Sequence, residues 1–131
     1  MVCLDTSFLV ALIRREDSAE RKLEGLLSRG ERLSTTPITV CELFKGVYKS
    51  SRWLLEAERV RGLLGYLEVL SFNVDACERY GKLVAAEPLQ GSPIGDMDAM
   101  IAAIALTHNE SVLTMNLRHF ERVPGLLVDS W

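Results

Sequence analysis

The chain has 131 residues, of which 48% are hydrophobic and 25% are charged, and its formal net charge is −3 at pH 7. This length suits one domain, residues 1–131, whose core can fold without disulfides or a structural metal. The mildly acidic balance excludes a broad positive surface for nucleic acid, so RNA would require a local basic rim and a metal ion. Cys3, Cys41 and Cys77 have no C-x-x-C spacing, and we expect all three to be small buried hydrophobic residues.

The amino-terminal residues match neither a signal peptide nor a membrane span. Val2 to Leu4 are apolar, but Asp5 interrupts the run, and no basic segment precedes a long apolar stretch. We therefore expect a protein with no membrane association that is located in the cytoplasm.

Short apolar runs alternate with segments of helical periodicity along the chain. The first half predicts a strand at Val2–Leu4, a helix containing residues 8–13, a helix over residues 19–27 that stops at Gly30, a strand at 32–35 and a helix opening at Thr36-Pro37. The second half predicts a helix from about Trp53 to Leu64, a strand at 67–70, a helix at 75–87 ended by Pro88, a loop at 90–95, a helix from Met97 to about His108, a strand at 112–115, a short helical piece through Phe120 and a strand at 126–128.

This alternation is typical of the α/β class. We predict a single domain with a central parallel sheet of four to five short strands, flanked by helices on both faces as right-handed crossovers require. Ligands of such sheets bind beyond the carboxyl ends of the strands, so the functional site is expected there.

Polar side chains follow two of the predicted strands at that edge. Asp5 follows the first strand, and Asn116 follows the strand at 112–115. Glu42 and Asp98 enter from the amino-terminal parts of helices, where a carboxylate also complements the helix dipole and needs no further explanation. Together the acids supply the oxygen ligands that Mg²⁺ and Mn²⁺ prefer. Such ions acidify water and offset charge on a phosphate, so the set indicates phosphodiester hydrolysis without a nucleophilic side chain.

Four stretches of the sequence then become recognisable. They are Leu4-Asp5-Thr6-Ser7, Val40-Cys41-Glu42-Leu43, the run from Ile94 to Ala103 (IGDMDAMIAA), and Thr114-Met115-Asn116 followed by His119-Phe120. In this order and spacing they resemble PIN-domain nucleases, especially VapC-type toxins of toxin-antitoxin pairs. The resemblance covers nearly the whole chain.

The resemblance implies a Mg²⁺- or Mn²⁺-dependent endoribonuclease that forms a homodimer and is inhibited by a cognate antitoxin. It implies that Asp5, Glu42 and Asp98 bind the metal, and it places the fourth polar position of the site at Asn116. A relative with Asp at that position would have one more charged ligand, so one-metal and two-metal chemistry both stay open.

Two residues beside these acids each fit two roles. Asp96 precedes Asp98 by two positions, which a helix would separate by roughly 200°. Asp96 is therefore either a metal ligand that is not yet helical or the N-cap of the helix. The hydroxyls of Thr6 and Ser7 could orient the Asp5 carboxylate, although we expect Ser7 to be an N-cap.

Several basic residues could form the rim that an acidic RNA enzyme requires. Candidate RNA contacts are Lys45, Lys49 and Arg118, joined by Arg14 and Arg52, and ordinary solvated charge is the alternative for each. His119 is expected to be merely exposed rather than catalytic. The aromatic residues Trp53, Phe72 and Trp131 are expected to be core or interface anchors, because they are scattered rather than interleaved with basic residues.

Two other functions share parts of this pattern. A phosphate-signalling receiver domain is also a small parallel α/β unit with an acidic Mg²⁺ pocket, but it requires paired acids after its first strand, where this chain has Asp5 alone. A non-catalytic PIN-like module that binds RNA or protein is the other alternative. The complete set of acids at 5, 42 and 98 favours the ribonuclease.

Overall fold

The computed structural model describes residues 1–86 and 94–131 and contains a five-stranded sheet. The strands are β1 (Val2–Leu4), β2 (Leu33–Thr35), β3 (Glu68–Val69), β4 (Ser111–Leu113) and β5 (Val128–Asp129). Their order is β3-β2-β1-β4-β5, and every pairing is parallel. The strand order changes direction between β1 and β4, so the carboxyl ends of these two strands form the switch point, where such sheets bind ligands. The predicted α/β class is confirmed.

Seven helices connect the strands within the described residues. They are α1 (Thr6–Ile13), α2 (Asp17–Ser28), α3 (Pro37–Tyr48), α4 (Trp53–Leu64), α5 (Val74–Ala86), α6 (Asp96–Thr107) and α7 (Leu117–Phe120). The predicted helix end at Pro88 and most of the loop predicted at 90–95 lie outside the described residues. None of the helices described is long and apolar enough to cross a membrane.

Local sequence explains where α3 begins and where α2 ends. The hydroxyl of Thr36 accepts a hydrogen bond from the backbone N–H of Thr39, and Pro37 occupies the first helical position, where its missing N–H has no cost. Beyond α2, Gly30 has a φ of 73°, a left-handed conformation that glycine adopts without strain.

The core lies on both faces of the sheet because side chains alternate along each strand. Leu4 and Leu113 pack with α1 to α4 on one face. Cys3 and Val112 pack with α5, α6 and α7 on the other. Helix α6 is buried almost all round, which accounts for its alanine-rich sequence.

The cysteine prediction holds for Cys3 alone. Cys3 is fully buried, whereas Cys41 and Cys77 are exposed. Cys41 lies two positions before the buried Leu43, so the two side chains leave α3 roughly 200° apart. Cys77 directly follows the buried Ala76, so its side chain leaves α5 roughly 100° away from that of Ala76.

The register of the last strand also differs from the prediction. β5 begins at Val128 rather than at residue 126, because Val128 and Asp129 pair with Val112 and Leu113 of β4. The apolar Leu127 is 75% exposed. The apolar residues therefore predicted the approximate position of β5, while its pairing with β4 determined the register.

Candidate active site

Asp5 lies at the carboxyl end of the central strand β1, and only 2% of its surface is exposed. Its Oδ2 atom accepts hydrogen bonds from Thr114 Oγ1 at 2.7 Å and from Ser7 Oγ at 3.4 Å. Its backbone N–H donates to the carbonyl of Leu113 at 3.1 Å, which ties it to β4. The carboxylate is thus held at the switch point of the sheet.

Burial is the main cause that raises the pKa of Asp5. Hydrogen bonds from Thr114 and from the backbone of Thr6 lower this pKa, while the negative charges of Asp98 and Glu42 raise it further. Hydrogen bonds show where these two acids lie: Thr6, which directly follows Asp5, contacts Glu42, and His119, five residues after Thr114, contacts Asp98. The structure therefore brings the three acids to one edge, although no three described His, Cys, Asp or Glu side chains form a ready metal cluster.

Glu42 is held by a contact between two helices. It lies partly buried on α3, and its Oε1 atom accepts a hydrogen bond from Thr6 Oγ1 of α1 at 2.7 Å. The expectation that the Thr6 hydroxyl orients Asp5 is therefore wrong: this hydroxyl orients Glu42, and only the Thr6 backbone acts on Asp5.

Ser7 supports Asp5 rather than capping a helix. The N-cap of α1 is Asp5 itself, with extended backbone angles, so Ser7 is already the second helical residue and the expected N-cap role is wrong. Its hydroxyl donates to the Asp5 carboxylate and accepts a hydrogen bond from the backbone N–H of Met115 at 3.1 Å. Ser7 therefore connects the start of α1 to the loop after β4.

Asp98 is the third residue of α6, and its Oδ2 atom lies 2.7 Å from Nδ1 of His119 on α7. The Asp98 side chain is 20% exposed and that of His119 is 48% exposed. The expectation that His119 is merely exposed missed this pairing. A signal was present, because His119 follows β4 by six positions and so lies at the same edge as Asp5.

Asp96 is not the N-cap of α6, so that interpretation is wrong. Gly95 occupies the cap position with extended backbone angles, and the helix begins at Asp96. The Asp96 carboxylate accepts a hydrogen bond from the hydroxyl of Tyr80 on α5 at 3.1 Å. Since Asp96 and Asp98 are both helical, their side chains leave the helix roughly 200° apart, which favours separate roles.

Thr114 is a further site residue, to which the sequence alone assigned no role. It is fully buried, donates to Asp5, and accepts a hydrogen bond from the backbone N–H of Asn116 at 3.0 Å. Asn116 precedes α7, where its side chain is exposed and makes no cap hydrogen bond. The position of Thr114 directly after β4 was the signal that could have identified it.

The predicted RNA contacts are all exposed. They are Lys45 and Lys49 on α3, Arg118 on α7, and Arg14 and Arg52 after α1 and before α4. Lys45 and Lys49 follow Glu42 at i+3 and i+7, so they share its side of α3. Arg118 directly precedes His119, which places it beside the acidic edge.

Comparison with known proteins identifies the family. The PIN domain model matches residues 2–126. This chain belongs to the PIN-domain family. Ribonuclease VapC2 of Rickettsia felis is 31% identical over 129 residues, which span 98% of this PIN domain and 96% of that protein. A tRNA(fMet)-specific endonuclease VapC of Salmonella typhimurium is 33% identical over 128 residues, with the same coverage.

A solved structure agrees with the sequence comparison. VapBC2 from Rickettsia felis, bound to a DNA fragment from their promoter, matches this PIN domain with a TM-score of 0.90 and 29% identity, over 100% of this chain and 99% of that one. The resemblance to VapC-type PIN domains is therefore confirmed over the full length.

The acidic edge of this PIN domain fits a hard divalent cation. Carboxylate oxygens are the ligands that Mg²⁺ and Mn²⁺ prefer. Asp5 is buried beside the negative charges of Glu42 and Asp98, an arrangement that a cation would neutralise. The hydroxyl and imidazole groups around the acids orient them without adding a competing Lys or Arg at these contacts.

Proposed function

We propose that this PIN domain is a Mg²⁺- or Mn²⁺-dependent endoribonuclease and the toxin of a toxin-antitoxin pair. The observation that carries the proposal is that hydrogen bonds from groups at the carboxyl ends of β1 and β4 hold the buried Asp5, Glu42 and Asp98. The names of the two full-length relatives, a ribonuclease and a tRNA endonuclease, support RNA as the substrate.

Asp5, Glu42 and Asp98 would hold the cation, with Asn116 as the fourth polar group of the site. When bound, a divalent cation acidifies water and offsets the charge that develops on the scissile phosphate. Asp96 is proposed to act outside this group, because its carboxylate is engaged by Tyr80.

The neighbouring side chains fix the direction of each carboxylate. Thr114 and Ser7 hold Asp5, Thr6 holds Glu42, and His119 holds Asp98. Groups in such outer positions commonly change metal affinity or activity by roughly 10- to 100-fold when they are removed.

The RNA backbone is proposed to lie along the basic residues next to the acids. Lys45 and Lys49 extend from Glu42 along α3, and Arg118 lies beside His119. Lysine and arginine contacts to phosphates position a strand without reading its sequence. This local rim supplies the positive charge that the acidic chain as a whole lacks.

We further propose that the protein acts in the cytoplasm as a homodimer and binds a cognate antitoxin. The likeness to VapBC2 of Rickettsia felis supports a partner protein. Co-expression of a short reading frame adjacent to the gene should relieve growth inhibition by this protein, and purification of the pair should show a stable complex.

The decisive test is cleavage of a panel of 5′-labelled RNAs by the purified protein. Cleavage should require Mg²⁺ or Mn²⁺ and should stop in excess EDTA. Asp98→Asn should abolish it, whereas Glu58→Gln, which removes an exposed acid of α4, should not. Undiminished cleavage in excess EDTA would show that the chemistry is independent of a divalent ion. Binding without cleavage under every condition would favour the non-catalytic module.

A further inference from the structure

An aromatic cluster lies where α3 meets α4. The rings of Phe44 and Tyr48 are stacked, with centroids 6.1 Å apart and planes 20° apart. Trp53 adjoins Tyr48 at a centroid distance of 5.8 Å. The guanidinium of Arg61 lies 5.9 Å from the centroid of the Phe44 ring. Three aromatic rings that are separate in the sequence therefore form one continuous ladder.

The outer two rings of this ladder face solvent. Tyr48 is 56% exposed and Trp53 is 45% exposed, while Phe44 beneath them is partly buried and packs against the core. A large exposed ring that rests on a second ring is held in place, so its outer face can accept another flat group at little conformational cost. The ladder therefore offers a prepared stacking surface.

The surface around the ladder is the basic region of the chain. Residues 45–61 contain five of the 15 Lys and Arg residues but only two of the 18 Asp and Glu residues. This segment is thus positive although the whole chain has a net charge of −3. Basic residues at 45, 49 and 52 alternate with Tyr48 and Trp53, so the expectation that Trp53 is a core or interface anchor without basic neighbours is wrong. Such alternation of aromatic rings with cations is characteristic of surfaces that bind single-stranded nucleic acid.

The ladder is also continuous with the acidic edge through α3. Glu42 and Lys49 are seven positions apart, which places them on the same side of the helix and roughly 10 Å apart along its axis. Lys45 lies between them, and Tyr48 precedes Lys49 by one residue. A strand whose phosphates follow Lys45 and Lys49 would bring its bases to Tyr48 and Trp53 while another part reaches Glu42.

We propose that Tyr48 and Trp53 form a subsite that stacks unpaired bases of the RNA substrate. The proposal rests on the proposed ribonuclease function and extends it: the substrate is single-stranded beside the cleaved bond, because stacked base pairs do not present their faces. A protein occupant fits less well, since interface cores are depleted in lysine whereas single-strand grooves combine rings with lysine and arginine.

The two tryptophans of the chain provide a direct readout of stacking. In an Asp98→Asn background, which keeps the RNA intact, Trp131→Phe leaves Trp53 as the only tryptophan. Trp53→Phe leaves Trp131, which packs edge-on against Phe8 at 4.8 Å. Titration with a single-stranded oligoribonucleotide should quench Trp53 fluorescence with saturation and leave Trp131 fluorescence nearly unchanged.

Removal of either ring should weaken binding without changing the chemistry. Trp53→Ala and Tyr48→Ala should each raise the Kd for the oligoribonucleotide by roughly five- to hundredfold. In the active protein they should raise KM and leave kcat nearly unchanged. Tyr66→Ala is the matched control, because Tyr66 is 85% exposed yet belongs to no described ring pair.

A second probe separates stacking from charge. An oligonucleotide of the same length with abasic spacers keeps the phosphates, so it should bind wild type and Trp53→Ala equally and should not quench Trp53. Trp53→Tyr should restore most of the affinity, and circular dichroism should show that each variant is folded.

Three results would overturn the subsite. They are unquenched Trp53 in the presence of bound RNA, equal loss of affinity in Tyr66→Ala, and conversion of a dimer to a monomer by Trp53→Ala, which would assign the ladder to an interface between copies. Binding is measured without cleavage. If only the ribonuclease proposal is wrong, the wild type will not hydrolyse RNA, but RNA will still quench the fluorescence of Trp53.

Discussion

Nδ1 of His119 lies 2.7 Å from Oδ2 of Asp98 and joins α7 to the first turn of α6. The two residues belong to different sequence motifs, and both lie at the edge where β1 and β4 end. A carboxylate with one oxygen held in this way keeps a fixed direction for its other oxygen. The imidazole therefore positions Asp98.

Loss of this positioning should reduce activity without unfolding the protein. We expect His119→Ala to lower RNA cleavage by roughly 10- to 100-fold. His119→Asn, whose side-chain amide can still donate to Asp98, should recover part of the rate. His108→Ala is the control, because His108 contacts the carbonyl of Ser71 at 2.9 Å, away from the acids. Equal losses in the His119→Ala and His108→Ala variants would assign both histidines a structural role.

The two aspartates at the start of α6 should behave differently when each is replaced. Asp98→Asn should abolish cleavage. Asp96→Asn should retain most activity and cost less than about 1 kcal/mol of stability, because it weakens one exposed hydrogen bond with Tyr80. Tyr80→Phe removes the same hydrogen bond from the other side and should match Asp96→Asn in both assays. If Asp96→Asn is inactive while Tyr80→Phe is active, Asp96 binds the metal.

The raised pKa of Asp5 predicts how stability depends on pH. The folded state holds the Asp5 proton more tightly than the unfolded state, whose pKa is near 3.8. Protonated Asp5 therefore stabilises the folded state fully below pH 3.8, and this stabilisation is lost as the pH rises through the higher pKa of the folded state. At neutral pH in chelator, Asp5→Asn should therefore have a higher melting temperature than wild type. For a chain of this size, each kcal/mol gained in the free energy of unfolding raises the melting temperature by roughly 3–5 °C.

The same variant should lose activity and respond much less to metal. A ligand that binds only the folded state stabilises it by RT ln(1 + [L]/Kd), about 2.7 kcal/mol at a hundredfold excess over Kd. Thermal melts in EDTA and in Mn²⁺ measure both effects. If Asp5→Asn melts lower than wild type in EDTA yet gains as much from Mn²⁺, Asp5 is structural and the acids do not share a cation.

Glu110 is a second buried acid, and it directly precedes β4, at the end of the strand opposite to the acidic site. Burial raises its pKa, Ser34 donates a hydrogen bond to Oε1, and Oε2 has no partner in the described part of the chain. By the same sign argument, Glu110→Gln should raise the melting temperature at neutral pH. Cleavage and the response to Mn²⁺ should be unchanged, which separates burial of a charge from metal binding. A parallel loss of activity would mean that the two edges are coupled.

The three thiols should differ sharply in reactivity. Burial raises the pKa of Cys3, whereas Cys41 and Cys77 are exposed. An aromatic disulfide reagent should therefore modify two thiols quickly in the native protein and the third only after denaturation. The variants Cys41→Ser and Cys77→Ser should each remove one fast-reacting thiol. Rapid modification of all three would show that β1 opens readily.

Features set by neighbouring residues were determined by the sequence itself. Helical periodicity placed Trp53–Leu64, and the polar residue that ends the first apolar run placed Asp5 at the carboxyl end of β1. The alternation of strands and helices gave the parallel sheet, since each crossover must return on the same hand. These inferences use interactions within a few residues, which the order of the letters shows directly.

The contacts that hold the acids were decided only by the tertiary structure. Thr6 and Glu42 are 36 positions apart, His119 and Asp98 are 21 apart, and Thr114 and Asp5 are 109 apart. The order of strands in the sheet brings each pair together, and nothing local specifies a partner at that distance.

Single-residue details were also beyond local reasoning. Helix α6 begins at Asp96 rather than after it. The ring of Trp53, at the start of α4, lies against Tyr48, at the end of α3. Both depend on how α5 meets α6 and how α3 meets α4. A shift of one residue turns a side chain by roughly 100° around a helix. Local preference for a cap or a core position is then weaker than packing between helices, and the packing decides which group each side chain meets.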